Sequence, residues 1–316
     1  METGVVERPT RRPRFRRASE PPAFRLTEDD VEIVRQVARH RFISSAQIAA
    51  LVGRSIDRIN DRLLRLYHAG YVDRPRAQLD QYPTGGSGRM IYALADAGAR
   101  LLRQRDGAVH ANVEWARKNR EARHPFIAHQ TEIVEFRVTM EQAARRRGEV
   151  RFLDPDEILA AAPEEIRRAR NPFALRAKLS HNGIMREIGV VPDLVFGLMF
   201  PDGSRRCFMV EIDRGTMPIT RSDFEQTSFE RKMRVYLAAH AAGQHRDRFG
   251  WRNFRVLAVT TDQERLHSMT EALRQIHIAG SPGATLFLFS TFHTLRGSDP
   301  LVQGWEDAFS REIALT

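Results

Sequence analysis

Three carboxylates interrupt the two apolar runs between residues 190 and 214, apart from Asp202 in the turn that joins the runs. Asp193 follows Pro192 in the first apolar run, and Glu211 and Asp213 close the second. Carboxylates beside a buried core are costly unless a positive charge joins them. Hard divalent cations take oxygen ligands of this kind. The spacing therefore suggests a site for Mg²⁺ or Mn²⁺.

The two apolar runs predict a β-hairpin. VVPDLVFGLMF and RRCFMVEIDR are rich in β-branched and aromatic residues and are joined by the turn sequence PDGS. Side chains alternate along a strand, so Cys207, Met209, Glu211 and Asp213 should point to one face. We therefore expect the two acids to stand side by side where the second strand leaves the core.

A lysine is embedded in the apolar side of the next predicted helix, at about residues 223–242. On a helical wheel Lys232 falls among the residues that face the core, which include Met233 and Tyr236. An ammonium group beside the carboxylates can orient an attacking water and stabilise charge that develops near a phosphate. The alternative is a lysine whose stem covers apolar surface while its charge reaches solvent.

Composition bounds the class of protein. A chain of 316 residues is long enough for two domains. A net charge of +10 and a pI near 10.6 indicate a polyanionic partner such as nucleic acid. The alternative is a basic surface without a specific partner.

Targeting signals are absent from the sequence. The arginine-rich N-terminus is not followed by the apolar segment of a secretory signal. No apolar run approaches the roughly 18 residues that span a bilayer. The single cysteine, Cys207, excludes an intramolecular disulfide and a cysteine-based zinc site. These features predict a cytoplasmic protein without a membrane partner.

The N-terminal part predicts a basic arm followed by helices. Residues 1–25 are rich in proline and arginine and predict a disordered arm, which either lies along phosphates or serves as a solubilising tail.

Three helices are predicted after the arm. Thr27 can cap the first helix and Ser44 the second. A third helix begins at about residue 54. One side of it is apolar, and a stripe of arginines runs beside that side. The apolar residues are Ile56, Ile59, Leu63 and Leu66, and the arginines are Arg54, Arg58, Arg62 and Arg65.

The sequence after this helix predicts a small β-structure. Arg74 and Arg76 precede a glycine-rich tip at residues 83–88 and a strand at residues 89–94, which begins with Arg89. Residues 26–105 resemble a winged helix-turn-helix. This resemblance implies that the arginine stripe enters a major groove of double-stranded DNA while the wing contacts the backbone. The alternative is a helix whose arginines are saturated by Asp57 and Asp61.

Residues 106–124 predict a linker or a linking helix, and residues 125–316 predict a second domain of the α/β class. Its predicted order is a helix at 126–147, a strand at 149–153, a helical insertion at 155–170, the acidic hairpin, a helix at 223–242, a strand at 254–260, a helix at 262–278 and a strand at 286–289. Glu132 lies at the margin of the apolar side of the first helix. This order resembles the core of the PD-(D/E)xK nuclease fold, and the resemblance implies a central mixed sheet flanked by helices.

The motif Pro192-Asp193 followed by Glu211 resembles that of PD-(D/E)xK nucleases. Asp213 stands where that motif has a lysine, and in several branches of the superfamily the lysine has moved to the position that Lys232 occupies. The resemblance implies that Asp193 and Glu211 ligate Mg²⁺ or Mn²⁺, that Asp213 and Glu132 complete the shell, and that Lys232 positions the water.

The winged helix, the acidic hairpin and the segment ERKMRVYLAAH together resemble the replication-relaxation family of plasmids and other mobile elements, over most of residues 26–290. The resemblance implies a DNA-binding protein of plasmid replication or conjugative DNA processing, with relaxosome or replication proteins as partners. Two functions stay open at this stage. One is a metal-dependent DNA endonuclease or nicking factor. The other is a degenerate nuclease fold that acts as a DNA-binding accessory or transcriptional regulator.

Overall fold

The computed structural model divides the chain into two compact units, Met1–Val134 and Glu135–Thr316. This division falls within the helix His124–Arg147, and Phe126 and Ile127 belong to the first unit, where Phe126 meets Phe42 edge to face. The structure describes residues 14–81, 89–107, 115–181, 183–223, 226–276 and 285–316.

The first unit combines short helices with a small antiparallel sheet of strand order β1-β3-β2. A 3₁₀ helix, Arg76–Gln81, follows β2. The elements in chain order are α1 (Glu28–His40), β1 (Ile43–Ser44), α2 (Ser45–Val52), α3 (Ile56–His68), β2 (Val72–Asp73), β3 (Ile91–Leu94), α4 (Asp96–Asp106), α5 (Trp115–Glu121) and the start of α6 (His124–Arg147).

Side-chain caps fix where the first three helices begin. The Thr27 amide donates to Asp30 at 2.7 Å, and the Asp30 amide donates back to the Thr27 hydroxyl, which closes a capping box. Ser44 and Gln47 form the same arrangement at α2, and Ser55 caps α3. The predicted caps at Thr27 and Ser44 are therefore confirmed.

The core of the first unit lies between these helices and the sheet. Ile59, Leu63 and Leu66 of α3 are buried, as the sequence predicts. Ile56 is not, because it is the first residue of the helix and its side chain stays 41% exposed. The apolar face of α3 therefore begins one turn later than predicted.

Part of the predicted disordered arm contacts this unit. Arg17 donates to the carbonyl oxygens of Tyr67 and Val72, at 2.8 and 3.1 Å, and Phe24 packs edge to face on Tyr71. Residues 14–25 thus lie against the C-terminal part of α3 and against β2. The arm residues 1–13, the glycine-rich tip at residues 83–88 and linker residues 108–114 lie outside the described part of the chain.

The second unit contains a five-stranded mixed sheet of order β10-β9-β8-β7-β4 and a separate two-stranded ribbon, β5-β6. After the remainder of α6, its elements are β4 (Arg151–Leu153), α7 (Pro155–Leu159), α8 (Glu164–Arg167), β5 (Leu175–His181), β6 (Ile184–Val190), β7 (Leu194–Met199), β8 (Arg205–Ile212), α9 (Phe229–Ala241), α10 (Gln244–Phe249), β9 (Phe254–Thr260), α11 (Gln263–Ile276), β10 (Phe287–Thr291) and α12 (Phe292–Gly297).

The acidic hairpin is confirmed and lies inside the sheet. Strands β7 and β8 pair antiparallel, whereas β8, β9 and β10 run parallel to one another. Strand β8 is buried from Cys207 onward because both of its edges are paired and both of its faces are covered. Cys207 and Met209 share one core cluster with Met233 and Tyr236 of α9. The predicted face of β8 is therefore the face that α9 covers.

Several boundaries differ from the prediction. Helix α9 begins at Phe229, where Ser228 caps it, rather than at about residue 223. The predicted helical insertion consists of the short helices α7 and α8. The β5-β6 ribbon was not predicted. None of the helices within the described residues is long and apolar enough to cross a membrane.

Candidate functional site

Glu211 is the centre of a buried polar cluster near the end of β8. Its side chain is 1% exposed, and both of its carboxylate oxygens accept hydrogen bonds from α9. Lys232 Nζ lies 2.5 Å from Oε2, and the Tyr236 hydroxyl lies 2.6 Å from Oε1. The structure therefore brings Lys232 to Glu211, as the helical wheel and the strand alternation predict.

Asp193 is held beside this pair by the hairpin backbone. Its amide donates to the carbonyl of Val210 at 2.9 Å, and its Oδ2 accepts the amide of Ile212 at 2.8 Å. These two bonds extend the β7-β8 pairing and fix the carboxylate next to residue 211. The charge of Asp193 acts on both Glu211 and Lys232. Three of the four predicted catalytic residues thus form one group.

Burial is the largest single influence on the pKa values of Glu211, Lys232 and Tyr236. Removal from water raises the pKa of Glu211 to about 7, although the Lys232 ammonium lowers it. For Lys232, burial lowers the pKa, but the carboxylates of Glu211 and Asp193 oppose it, and the net shift is upward. Burial, and then the charge of Glu211, raises the pKa of Tyr236. At neutral pH the cluster therefore contains a charged lysine, a neutral phenol and a carboxyl that titrates near 7.

Asp213 has a different role from the predicted one. Arg265 of α11 donates Nη2 to Asp213 Oδ1 at 2.7 Å and its Nε to Oδ2, and the Thr260 hydroxyl adds a bond of 2.7 Å. The same guanidinium donates to the carbonyl of Met217. Asp213 is therefore the buried counter-ion of Arg265, and its carboxylate is not free to complete a metal shell beside Glu211.

The cluster does not fit the predicted metal shell. Both oxygens of Glu211 are occupied by Lys232 and Tyr236, and Asp213 is paired with Arg265. Across the described residues, no three His, Cys, Asp or Glu side chains are grouped so that they could hold a metal ion. Glu132 lies in the first unit. The positive charge that the carboxylates require is supplied by Lys232 in this structure.

Two members of the site were missed from the sequence. Tyr236 lies one turn after Lys232 on α9 and was assigned to the apolar sector, although a buried tyrosine hydroxyl usually finds a polar partner. That rule, applied to the helical wheel, could have paired it with Glu211. Arg265 gives no such signal, because only the folding of α11 against the end of β8 brings it to Asp213.

The arginine stripe of α3 lies beside the acids of α1. Arg54 and Arg58 both contact Asp29, each at 3.0 Å, and Arg62 binds Asp30 through two nitrogens. Arg65 pairs with Asp61 in its own helix. The stripe is therefore ion-paired, as the alternative to DNA binding proposed, but the principal partners are the first-turn acids of α1. Acids in the first turn of a helix are also favoured by the helix dipole, so the sequence alone does not pair them with α3.

The four arginines differ in exposure. The Arg58 side chain is 61% exposed, and Arg54 and Arg65 are more than 40% exposed. Arg62 is only 17% exposed, and its partner Asp30 is completely buried. Burial raises the pKa of Asp30, but bonds from Arg62 and Thr27 outweigh this effect and lower it. Arg62 is therefore a structural residue, whereas the other three present charge to solvent.

The predicted wing arginines also fall into packed and exposed groups. Arg74 lies between two aromatic rings, with its guanidinium carbon 4.2 Å from the Tyr67 centroid and 5.3 Å from that of Tyr92, and it donates to the Tyr92 hydroxyl. The Arg74 guanidinium thus forms cation–π contacts that hold β3 against α3. Arg76 and Arg89 are exposed.

The structure defines a protein of two α+β units, in which a small helical unit with a three-stranded sheet precedes a unit built on a mixed central sheet. The family model for replication-relaxation matches residues 34–252, and the chain therefore belongs to the replication-relaxation family. No curated protein and no solved structure matches the chain significantly. Membership of this family indicates a role in replication or DNA processing.

Proposed function

We propose that the chain is a DNA-binding protein of plasmid or mobile-element replication or DNA processing, which binds duplex DNA through its first unit. The element order α1-β1-α2-α3-β2-β3 and the sheet order β1-β3-β2 support a winged helix-turn-helix. In that fold α3 is the helix that enters the major groove. Relaxosome or replication proteins are the partners that fit this role.

The observation that carries the proposal is the exposed basic edge of α3. Arg54, Arg58 and Arg65 make only surface ion pairs, and such pairs contribute little in water because solvent and salt screen them. Phosphates can replace Asp29 and Asp61 as their partners at small cost. Arg76 and Arg89 add exposed charge from the β2-β3 connection.

We expect Arg58→Gln to weaken duplex binding several-fold and to reduce the slope of log affinity against log salt by about 0.9 for the lost phosphate contact. Fluorescence anisotropy with a labelled duplex at several salt concentrations measures both quantities. Arg103→Gln is the matched control, because Arg103 is an exposed arginine of α4 outside the proposed surface. Equal effects of the two substitutions would show that α3 is not the DNA-binding helix.

For the second unit we propose a nuclease-like fold that has lost metal-dependent cleavage and serves DNA or protein contacts. The order of α6, the β7-β8 hairpin, α9 and the parallel strands β9 and β10 supports the relationship to PD-(D/E)xK nucleases. The occupation of both Glu211 oxygens by Lys232 and Tyr236 supports the loss of metal binding.

A metal-dependent endonuclease is the second candidate, and the grouping of Asp193, Glu211 and Lys232 favours it. In that case Mg²⁺ or Mn²⁺ would have to bind a carboxylate that already accepts two hydrogen bonds and is paired with the Lys232 ammonium group. The two candidates therefore differ in what a divalent cation does to the second unit.

We expect Mg²⁺ or Mn²⁺ to leave the melting temperature of the second unit unchanged, because a ligand raises stability only when it binds the folded state. We also expect no nicking of supercoiled plasmid DNA. Differential scanning calorimetry and gel electrophoresis test these outcomes. A metal-induced rise that Glu211→Gln abolishes, together with nicking that Lys232→Ala abolishes under conditions where calorimetry shows that this variant is folded, would establish the endonuclease instead.

A further inference from the structure

A cavity of about 660 Å³ opens in the second unit at the starts of β8 and β9. Phe208 is the lining residue of β8 nearest to Glu211, which lies three residues further along the strand, about 10 Å away at roughly 3.3 Å per residue, and does not line the cavity. The cavity is thus distinct from the carboxylate cluster. Its volume is typical of sites that bind a single small ligand, which span about 300–1,000 Å³.

Four arginines line this cavity: Arg205, Arg206, Arg252 and Arg255. No aspartate or glutamate is among the described residues that line it. This composition is unusual within the chain, because the arginines of α3 and Arg265 each face a carboxylate. A cluster of like charges without acids destabilises itself unless an anion joins it.

Arg255 is the strongest single indication that the cavity binds an anion. It is half-buried, and within the described chain its guanidinium has neither a hydrogen bond nor an ion pair. Burial lowers the pKa of Arg255, and the charge of Arg206 lowers it further. Asp307 acts on it in the opposite direction, but the Asp307 carboxylate is already bonded to Arg311. Arg255 therefore has unused donors at a site that disfavours its charge.

The other three arginines of the cavity differ in whether their guanidinium groups are already bonded. Arg206 donates to the carbonyl of Leu315 at 2.8 Å and lies over the Phe200 ring. Arg205 and Arg252 are exposed, and neither has a hydrogen-bonded or ion-paired side chain within the described residues. Three guanidinium groups can thus turn toward a ligand while the fourth is held by the backbone.

We propose that this cavity binds a phosphate-bearing nucleotide, either free or as the phosphorylated end of a DNA strand. The planar guanidinium fork matches phosphate oxygens in pairs, which accounts for the arginines. Apart from Asn253, the rest of the lining is apolar or aromatic, includes Phe249 and Trp251, and suits a planar base. This site is independent of the α3 surface and of the Glu211 cluster.

Isothermal titration calorimetry on the full chain at fixed salt tests the proposal with deoxyadenosine 5′-monophosphate and with deoxyadenosine. The phosphorylated nucleoside should bind, and the nucleoside without phosphate should bind at least about tenfold more weakly, because it lacks the charge-assisted bonds. Equal affinity for the two compounds, or no binding of the phosphorylated one, would overturn the proposal.

Substitutions locate the binding site. The double substitution Arg252→Gln and Arg255→Gln should weaken binding at least about tenfold. Arg252→Gln alone should weaken it several-fold without disturbing the fold, because Arg252 is exposed. Arg167→Gln, which removes an exposed arginine that does not line the cavity, is the control and should change nothing. Unaltered binding in the double variant would place the nucleotide elsewhere and refute the proposal.

A short single-stranded DNA with and without a 5′-phosphate separates the two sources of the ligand. Tighter binding of the phosphorylated strand, lost in the double variant, assigns the cavity to strand ends. Equal binding of both strands, with retained binding of the free nucleotide, assigns it to free nucleotides. Because neither comparison uses duplex DNA or Mg²⁺, failure here is distinguishable from failure of the DNA-binding unit.

Discussion

Lys232→Met should destabilise the second unit by about 3 kcal/mol, at the lower end of the range for removing one partner of a buried ion pair. The lower end applies because the Lys232 side chain retains 22% exposure. Its loss leaves Glu211 buried with only the Tyr236 hydroxyl and the neighbouring charge of Asp193. Denaturant unfolding followed by the fluorescence of Trp251 and Trp305, both in this unit, measures the change.

The pH dependence of this penalty follows from the direction of the Glu211 shift. A carboxyl whose folded pKa of about 7 lies above its ordinary 4.5 adds stability that is fully present below 4.5 and is lost as the pH rises through 7. Removal of the ammonium raises that pKa further, because the ammonium lowers it. The cost of Lys232→Met should therefore be largest above pH 7 and smaller at pH 5, where Glu211 takes up a proton instead.

Two further variants make the expectation specific to this pair. Glu211→Gln combined with Lys232→Met should recover most of the loss, because no uncompensated charge is then buried. Arg234→Met is the control on the same helix, because Arg234 forms an exposed pair with Glu230, and such pairs contribute at most about 1 kcal/mol. If Lys232→Met costs no more than Arg234→Met, the contact between Lys232 and Glu211 does not stabilise the fold.

Local periodicity in the sequence was enough to bring Glu211 and Lys232 together. Alternation along β8 predicts the face on which Glu211 lies, and the wheel of α9 predicts the same for Lys232. The two faces meet because one apolar core covers both. This kind of prediction succeeds when the partners lie on the buried faces of regular elements that are close in the chain.

The same procedure fails for partners that only the tertiary structure selects. Asp213 directly follows β8, only two residues after Glu211, yet its partner is Arg265, which approaches from α11. Asp29 and Asp30 are as well suited to a helix N-terminus as to ion pairs with α3. The local sequence does not distinguish a role at the helix N-terminus from an ion pair with α3, because the outcome depends on how α1 packs against α3.

The β5-β6 ribbon was missed for a different reason. Strand β5 alternates between buried Leu175 and Ala177 and exposed Arg176 and Lys178, and β6 is mostly exposed, so neither strand is a continuous apolar run. The pair Asn182-Gly183 was nevertheless a usable signal, because such pairs favour the two-residue turns of β-hairpins. Gly183 has a φ of 77°, a region that glycine adopts more readily than other residues. The alternation of β5 together with this turn signal would have found the ribbon, which a search for continuous apolar runs does not detect.

Arg62→Met should destabilise the first unit by about 3–5 kcal/mol, because it leaves Asp30 buried without its counter-charge. Asp30 has no exposed surface and also accepts the Thr27 amide that begins α1. The lost charge therefore affects both the packing of α3 and the start of α1. Hydrogen exchange measured by mass spectrometry on the full chain should show faster exchange in peptides from both helices.

The matched variant Arg58→Met separates stability from DNA binding. Arg58 pairs with Asp29 on the surface, so its removal should leave hydrogen exchange in α1 and α3 nearly unchanged while it lowers duplex affinity. Arg62→Met should reduce affinity only in proportion to the unfolded fraction, and low temperature should restore it. Retention of the native exchange rates in Arg62→Met, with a loss of DNA binding at all temperatures, would instead assign Arg62 to the DNA surface.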